Sequence, residues 1–289
     1  MSTTTAASRP RRALRRGLRR LPLGIVIGAL LIVQVYPLFW VFFGSFKTQQ
    51  EVLSQPFWTL PAQWNLDNYI EAFEVGGLAQ YVLNSVITVF PALAIALLLG
   101  TAAGFALEVM VWKGRGGVLL IFLLGILIPG QLVLLPLFTI YFELHLTGTL
   151  WPLTITYIAG SLPLIIFMMA TYFRTVPREL FEAATIDGAS LLRAFWSIGI
   201  PTVRNGIFTV GLVQFFFLWN DLLLALTFTN SPALRTLQVG LLNFTGQYGS
   251  VQYGPLFAAI FISIFGTLVL YLFLNQRIMR GLTAGSLKG

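Results

Sequence analysis

The sequence predicts an all-α integral membrane protein with six transmembrane helices, and three observations carry that prediction. Hydrophobic residues make up 57% of the 289-residue chain and charged residues only 10%, with a mean hydropathy of +0.83; soluble domains carry about 25% charged residues. Six apolar stretches each reach the roughly 20 helical residues needed to cross about 30 Å of hydrocarbon. The cationic residues between them alternate in number. With the N-terminus placed in the cytoplasm, sixteen of the eighteen Lys and Arg lie on the inner side, leaving Lys47 and Arg235 outside. The positive-inside rule therefore puts both termini in the cytoplasm, and the net charge of +8 is a topology signal.

The first element is a basic tail, residues 1–20, with seven arginines, among them Arg11-Arg12, Arg15-Arg16 and Arg19-Arg20. Beside a membrane span, such a run holds the chain on the cytoplasmic side and attracts anionic lipid headgroups, so the partner it implies is membrane lipid and not nucleic acid. The apolar stretch that follows, 21–46, exceeds the 7–15 residues of a signal-peptide core and is retained as a span. The other spans are 80–107, 118–141, 150–173, 205–229 and 254–275, so a transmembrane domain covers 21–275 and a cytoplasmic tail 276–289. The outer loops, 47–79 and 230–253, hold Trp58, Trp64, Tyr69 and Gln247. They read as interfacial anchors or as a ledge for an extracellular protein.

Breakers punctuate the interior: Pro91, Gly100 and Gly104 in the second span, Pro129, Gly130 and Pro136 in the third, and Pro163 in the fourth. Neighbouring helices can satisfy the backbone groups that such kinks free, and the glycines allow close packing. Gln131 follows the Pro129-Gly130 break. In the fifth span Gly211, Gln214 and Asp221 share a helical face by their spacing, and Asn220 precedes the carboxylate. Intramembrane polar and ionisable residues are functional candidates. Gln131, Gln214, Asn220 and Asp221 are thus candidates for a substrate path, with Phe215, Phe216, Phe217 and Trp219 as aromatic walls. Asn220 and Gln131 are expected to line one cavity, and Asp221 to hold helices together.

The most informative stretch lies between the fourth and fifth spans, residues 177–201. Pro177 suits a first helical turn. Glu179 and Glu182 sit near the positive end of the helix dipole, with Arg178 four residues before Glu182. Asp187-Gly188 ends this helix, since glycine takes the left-handed conformation easily. A second helix, about 190–198, is expected to stop before Pro201. Its Leu191, Leu192, Phe195 and Trp196 present more apolar surface than a solvated loop needs.

Glu182-Ala183-Ala184, then Gly188, then Ile198-x-Ile200-Pro201 match the spacing of the EAA loop, and the chain thereby resembles the bacterial ABC importer permeases. Only Ile200 departs, where leucine is usual. Trp219-Asn220-Asp221 and the terminal Gly281-Leu-Thr-Ala-Gly-Ser-Leu-Lys-Gly289 are similar to the carbohydrate permeases of the MalG type, with the tail before about Arg20 outside the likeness. The resemblance implies the MetI-like permease fold and an ATPase-coupling role for Glu182, Ala183, Ala184, Gly188, Ile198 and Pro201. It also implies the partners: a second homologous permease subunit, an ATPase dimer, an extracellular or periplasmic sugar-binding protein, and a carbohydrate substrate. The location implied is the bacterial cytoplasmic membrane.

Several chemistries are excluded. The chain lacks cysteine and has a single histidine, His145, which leaves no disulfide framework and no thiolate or histidine-cluster metal site. A P-loop needs glycine before its lysine, and Lys47, Lys113 and Lys288 all lack it. No enzyme activity and no cofactor are expected in this subunit, ATP and Mg²⁺ belonging to the partner ATPases. The competing reading is an ion-coupled secondary transporter working through Asp221.

Overall fold

In the computed structural model, which describes residues 9–246 and 250–286, helices account for all six predicted spans. The first, α1 (Arg9–Gly44), carries the apolar stretch and extends back into the basic tail without a break. It lies at the periphery, where Trp40 and Phe42 pack on Phe257 and Phe261 of the last helix, α13 (Tyr253–Ser286). Residues 1–8, Gln247 and 287–289, the last completing the terminal motif, lie outside the described residues.

Between these ends come two short helices of the first outer loop, α2 (Gln49–Ser54) and α3 (Asp67–Glu74), then the long α4 (Leu78–Glu108). At 1.5 Å per residue, α4 is about 46 Å long, enough to span with tilt. Its main partner is α7 (Trp151–Arg174). The contact is close because glycine supplies it: a Cβ on Gly104 would lie 2.8 Å from Met169 Cβ, and one on Gly100 would collide with Ile165. Without a hydrophobic force between helices in lipid, such backbone approach is what holds them. Pro91 and Pro163 lie inside α4 and α7 without interrupting either.

The third span differs from a simple kinked helix. It is broken into α5 (Arg115–Ile126) and α6 (Leu134–Glu143), with a 3₁₀ turn over Gly130–Val133, and the two halves bend by 90°. Pro129 is extended and donates no hydrogen bond, so the helix cannot pass through it. His145 follows α6 in a turn with φ of +56°. By length and composition, α1, α4 and α7 qualify as single continuous spans, and the bent pair makes a fourth. The fifth span is α10 (Ile200–Trp219) continued by α11 (Leu223–Phe228), and the sixth is the apolar part of α13, Tyr253–Val269.

The outer loops are fastened by polar contacts. Asn84, buried in α4, donates to the carbonyls of Ala233 at 2.8 Å and Arg235 at 2.9 Å, and Leu237 N donates to Ser85 Oγ at 2.8 Å. Asn68 donates to the carbonyls of Ser45 and Lys47, and Gln49 bonds Val251 O and Tyr253 N. The second outer loop, which includes α12 (Leu237–Gly240), is thus tied to both α4 and the first outer loop.

Candidate functional site

The hairpin of residues 177–201 forms as the sequence dictates locally, with one important difference. Its first helix is α8 (Glu179–Ile186), with Glu179 and Glu182 in the first turn. Gly188 has φ of +80°, and Ala189 N bonds Ala184 O at 2.9 Å, closing the helix end. Ser190 caps the next helix, α9 (Leu191–Ala194), by accepting from Arg193 N. That helix does not stop before Pro201. It runs on through a π turn, Phe195–Gly199, into α10, with Pro201 in the first turn of the transmembrane helix. The π turn pairs Ile200 N with Phe195 O, skipping the α-helical register just where proline has no N–H to offer. The hairpin's second helix, the π turn and α10 are therefore one continuous helical rod.

The motif residues divide between two faces. Glu182, Ala183, Gly188 and Pro201 are exposed. A Cβ on Gly188 would meet nothing of this chain within 4 Å. Around them stand Ile186, 86% exposed, with Leu191, Leu192 and Trp196, each more than half exposed. Ala184 instead is buried, and Ile198 is half-buried against the same core cluster. Ala184 thus packs into the hairpin's seat on its own chain. Arg178 and Glu182 form no ion pair; among the described residues the only one is Arg174–Glu108, at 3.1 Å. The Arg178 backbone carbonyl accepts from Phe181 and Glu182 N, and both side chains remain in solvent.

A phenylalanine cluster that sequence reasoning missed fixes the hairpin to the spans. The Phe105 ring, near the C-terminal end of α4, lies edge-on to Phe173, Phe181 and Phe195 at centroid distances of 5.5, 5.5 and 5.3 Å. These come from α7, α8 and the π turn. Gly199 lies beside them, where a Cβ would make ordinary van der Waals contact with Phe105 at 3.4 Å and Phe173 at 3.5 Å. No local pattern marks Phe105, because its partners are all distant in sequence.

The intramembrane candidates do not converge as the helical-face argument expects. Asp221 lies beyond the end of α10, so it does not continue the face of Gly211 and Gln214. There it accepts from Tyr157 Oη at 2.9 Å and from the N–H groups of Ala225 at 3.0 Å and Leu224 at 3.4 Å. It starts α11 and ties it to α7. Asn220, the adjacent residue, points elsewhere: it bonds Phe216 O at 2.9 Å and lines a groove of about 370 Å³ between α10 and α13, with Ser263, Thr267 and Tyr271. Gln214 and Asp221 line a second cavity, of about 540 Å³, bordered by the break in the third span. Gly130 and Val133 face that cavity, but Gln131 is exposed and lies in neither. The 3₁₀ turn rotates it away. The aromatic residues also separate: Phe215 is buried in the core, Phe216 faces the α10–α13 groove, and Phe217 faces the cavity.

Comparison with known proteins points in one direction. The profile of the family described as "Binding-protein-dependent transport system inner membrane component" matches residues 5–278, so the likeness extends into the arginine-rich tail. The chain is similar to a diacetylchitobiose uptake system permease protein of Streptomyces coelicolor, 33% identical with 89% of this chain and 85% of the relative covered. It is 31% identical to a trehalose/maltose transport system permease protein of Thermococcus litoralis, over 92% of this chain and 96% of the relative. Among solved structures it is similar to a chain of a bacterial ABC transporter involved in import of the polysaccharide alginate. The TM-score is 0.79 at 18% identity, over 94% of this chain and 99% of that one, a likeness that shows the fold.

Proposed function

Because this chain belongs to the family of binding-protein-dependent transport system inner membrane components, we propose that it is one permease subunit of an ATP-driven carbohydrate importer. It lines half of the path with a second, homologous permease, and a sugar-binding protein delivers substrate at the outer loops. Residues 177–201 couple it to an ATPase dimer in the cytoplasm. The observation that supports this reading most is the hairpin's exposed apolar face, Ile186, Leu191, Leu192 and Trp196, beside Glu182, Ala183 and Gly188. An apolar patch rimmed by polar residues and presented to water marks a surface for a partner.

In this reading, ATP binding draws the two ATPase subunits together and carries the hairpin with them. The rod formed by α9, the π turn and α10 then moves as a unit, and the Phe105 cluster passes that motion to α4 and α7. Asp221 does not act as an ion-coupling site here, since its carboxylate is engaged by Tyr157 and two backbone N–H groups.

The test is uptake of labelled disaccharides by proteoliposomes holding this chain with its partner permease, ATPases and binding protein. Uptake that needs ATP on the ATPase side, and that falls in Glu182→Ala together with stimulation of ATP hydrolysis, supports the proposal. Uptake that continues without ATP and stops when ion gradients are collapsed refutes it.

A further inference from the structure

The cavity of about 540 Å³ beside the broken third span holds two polar side chains with no partner. Gln214, in α10, is 4% exposed, and Ser161, in α7, is 3% exposed. Both line the cavity, and among the described residues neither makes a side-chain hydrogen bond, although Tyr157 and Asp221 on the same wall bond each other at 2.9 Å. Their polar atoms are not sealed off from the cavity, so both are open to bond whatever enters it.

The donor and acceptor types define what fits. A carboxamide and a hydroxyl each both donate and accept, which matches the hydroxyl and acetamido groups of a neutral sugar. No Lys, Arg or His lines the cavity to hold an anion, and the one carboxylate, Asp221, is already engaged by three donors. Phe217, 64% exposed, offers an aromatic face for the apolar C–H side of a sugar ring. The volume lies in the 300–1,000 Å³ range of small-molecule sites.

We propose that this cavity is a sugar subsite within this subunit, with Gln214 and Ser161 reading hydroxyl or acetamido groups, Phe217 stacking on the ring, and the Tyr157–Asp221 pair serving only as a fixed wall. It rests on the carbohydrate-importer reading and deepens it: the subunit contacts the substrate itself and contributes to selectivity.

The experiment uses the assembled complex in lipid nanodiscs, without the binding protein, and saturation-transfer NMR with maltose, trehalose and N,N′-diacetylchitobiose as probes. Wild-type complex should show transfer to at least one of them. Gln214→Leu should raise the dissociation constant about five- to tenfold, the effect of one lost hydrogen bond, and Ser161→Ala about two- to fivefold. Assembly should be unchanged in both. Absence of transfer to all three sugars while the complex still imports one of them overturns the subsite and leaves the importer reading standing. Uptake that continues without ATP and stops when ion gradients are collapsed overturns both. Unchanged affinity in Gln214→Leu, or loss of assembled complex in both variants, also overturns the subsite, the latter because the residues would then be holding neighbouring chains.

Discussion

The hairpin of residues 177–201 and the far end of the fifth span sit at opposite ends of one helical rod, α9 to α10, yet they relate to sequence in opposite ways. In the hairpin, each feature is set within a few residues: acidic first turn, left-handed glycine, serine cap. The spacing therefore survives into three dimensions, and Glu182, Ala183 and Gly188 share an open face with Ile186. At the far end, helical periodicity alone would place Asp221 on the face of Gln214, but the chain leaves the helix at Asn220. Periodicity projects a face only as far as the helix lasts. Asn220 and Asp221, adjacent in sequence, consequently serve different grooves.

The contrast is sharpest at Gly188. Its φ of +80° is a conformation that Asn and Asp tolerate better than other residues, and no atom of this chain stands where a Cβ would go. Gly188→Asp should therefore leave the chain folded and inserted. Uptake should fall by about 100-fold or more if an uncompensated charge is forced into a packed interface, with Gly188→Asn milder. Normal uptake by well-assembled Gly188→Asp complexes breaks the claim that the hairpin's open face is an interface.

The hairpin's other face is bound to its own chain. Phe105→Ala should destabilise the protein by about 3 kcal/mol, as loss of a buried aromatic ring does, measured by denaturant unfolding in detergent micelles. It should also lower sugar imported per ATP hydrolysed. Phe105→Leu should recover most of the stability.

At the outer end, Tyr157→Phe should cost about 1 kcal/mol, since it removes one hydrogen bond and leaves Asp221 its backbone donors. Asp221→Asn, which keeps an oxygen acceptor, should still transport. An ion-coupled carrier would lose transport with that change, so the variant separates the two readings of this carboxylate. The smallest effect is expected at Glu108→Gln. Its ion pair with Arg174 is mostly exposed on the arginine side, and such pairs contribute little; thermal unfolding should shift little.

What the sequence made legible follows from the range of each interaction. Spans and the hairpin depend on local composition, and all six apolar stretches are helical. The continuation through Pro201 was hidden because a π turn resolves a conflict that proline statistics read as a stop. The 90° bend after Ile126 was marked by Pro129-Gly130, but its size was not. The Phe105 cluster, the Tyr157–Asp221 bond and the pairing of Gln214 with Ser161 across one cavity join residues far apart in the chain. Single-sequence periodicity carries no trace of them.

The central claim is that residues 177–201 seat on an ATPase through their exposed face. A photo-crosslinking amino acid placed singly in the assembled complex tests this most directly. Incorporation at Ile186 or Leu192, both exposed, should capture the ATPase subunit, and incorporation at Trp58 in the outer loop should not. Failure of both hairpin positions to capture the ATPase, or capture from Trp58 as efficient as from Ile186, would contradict it.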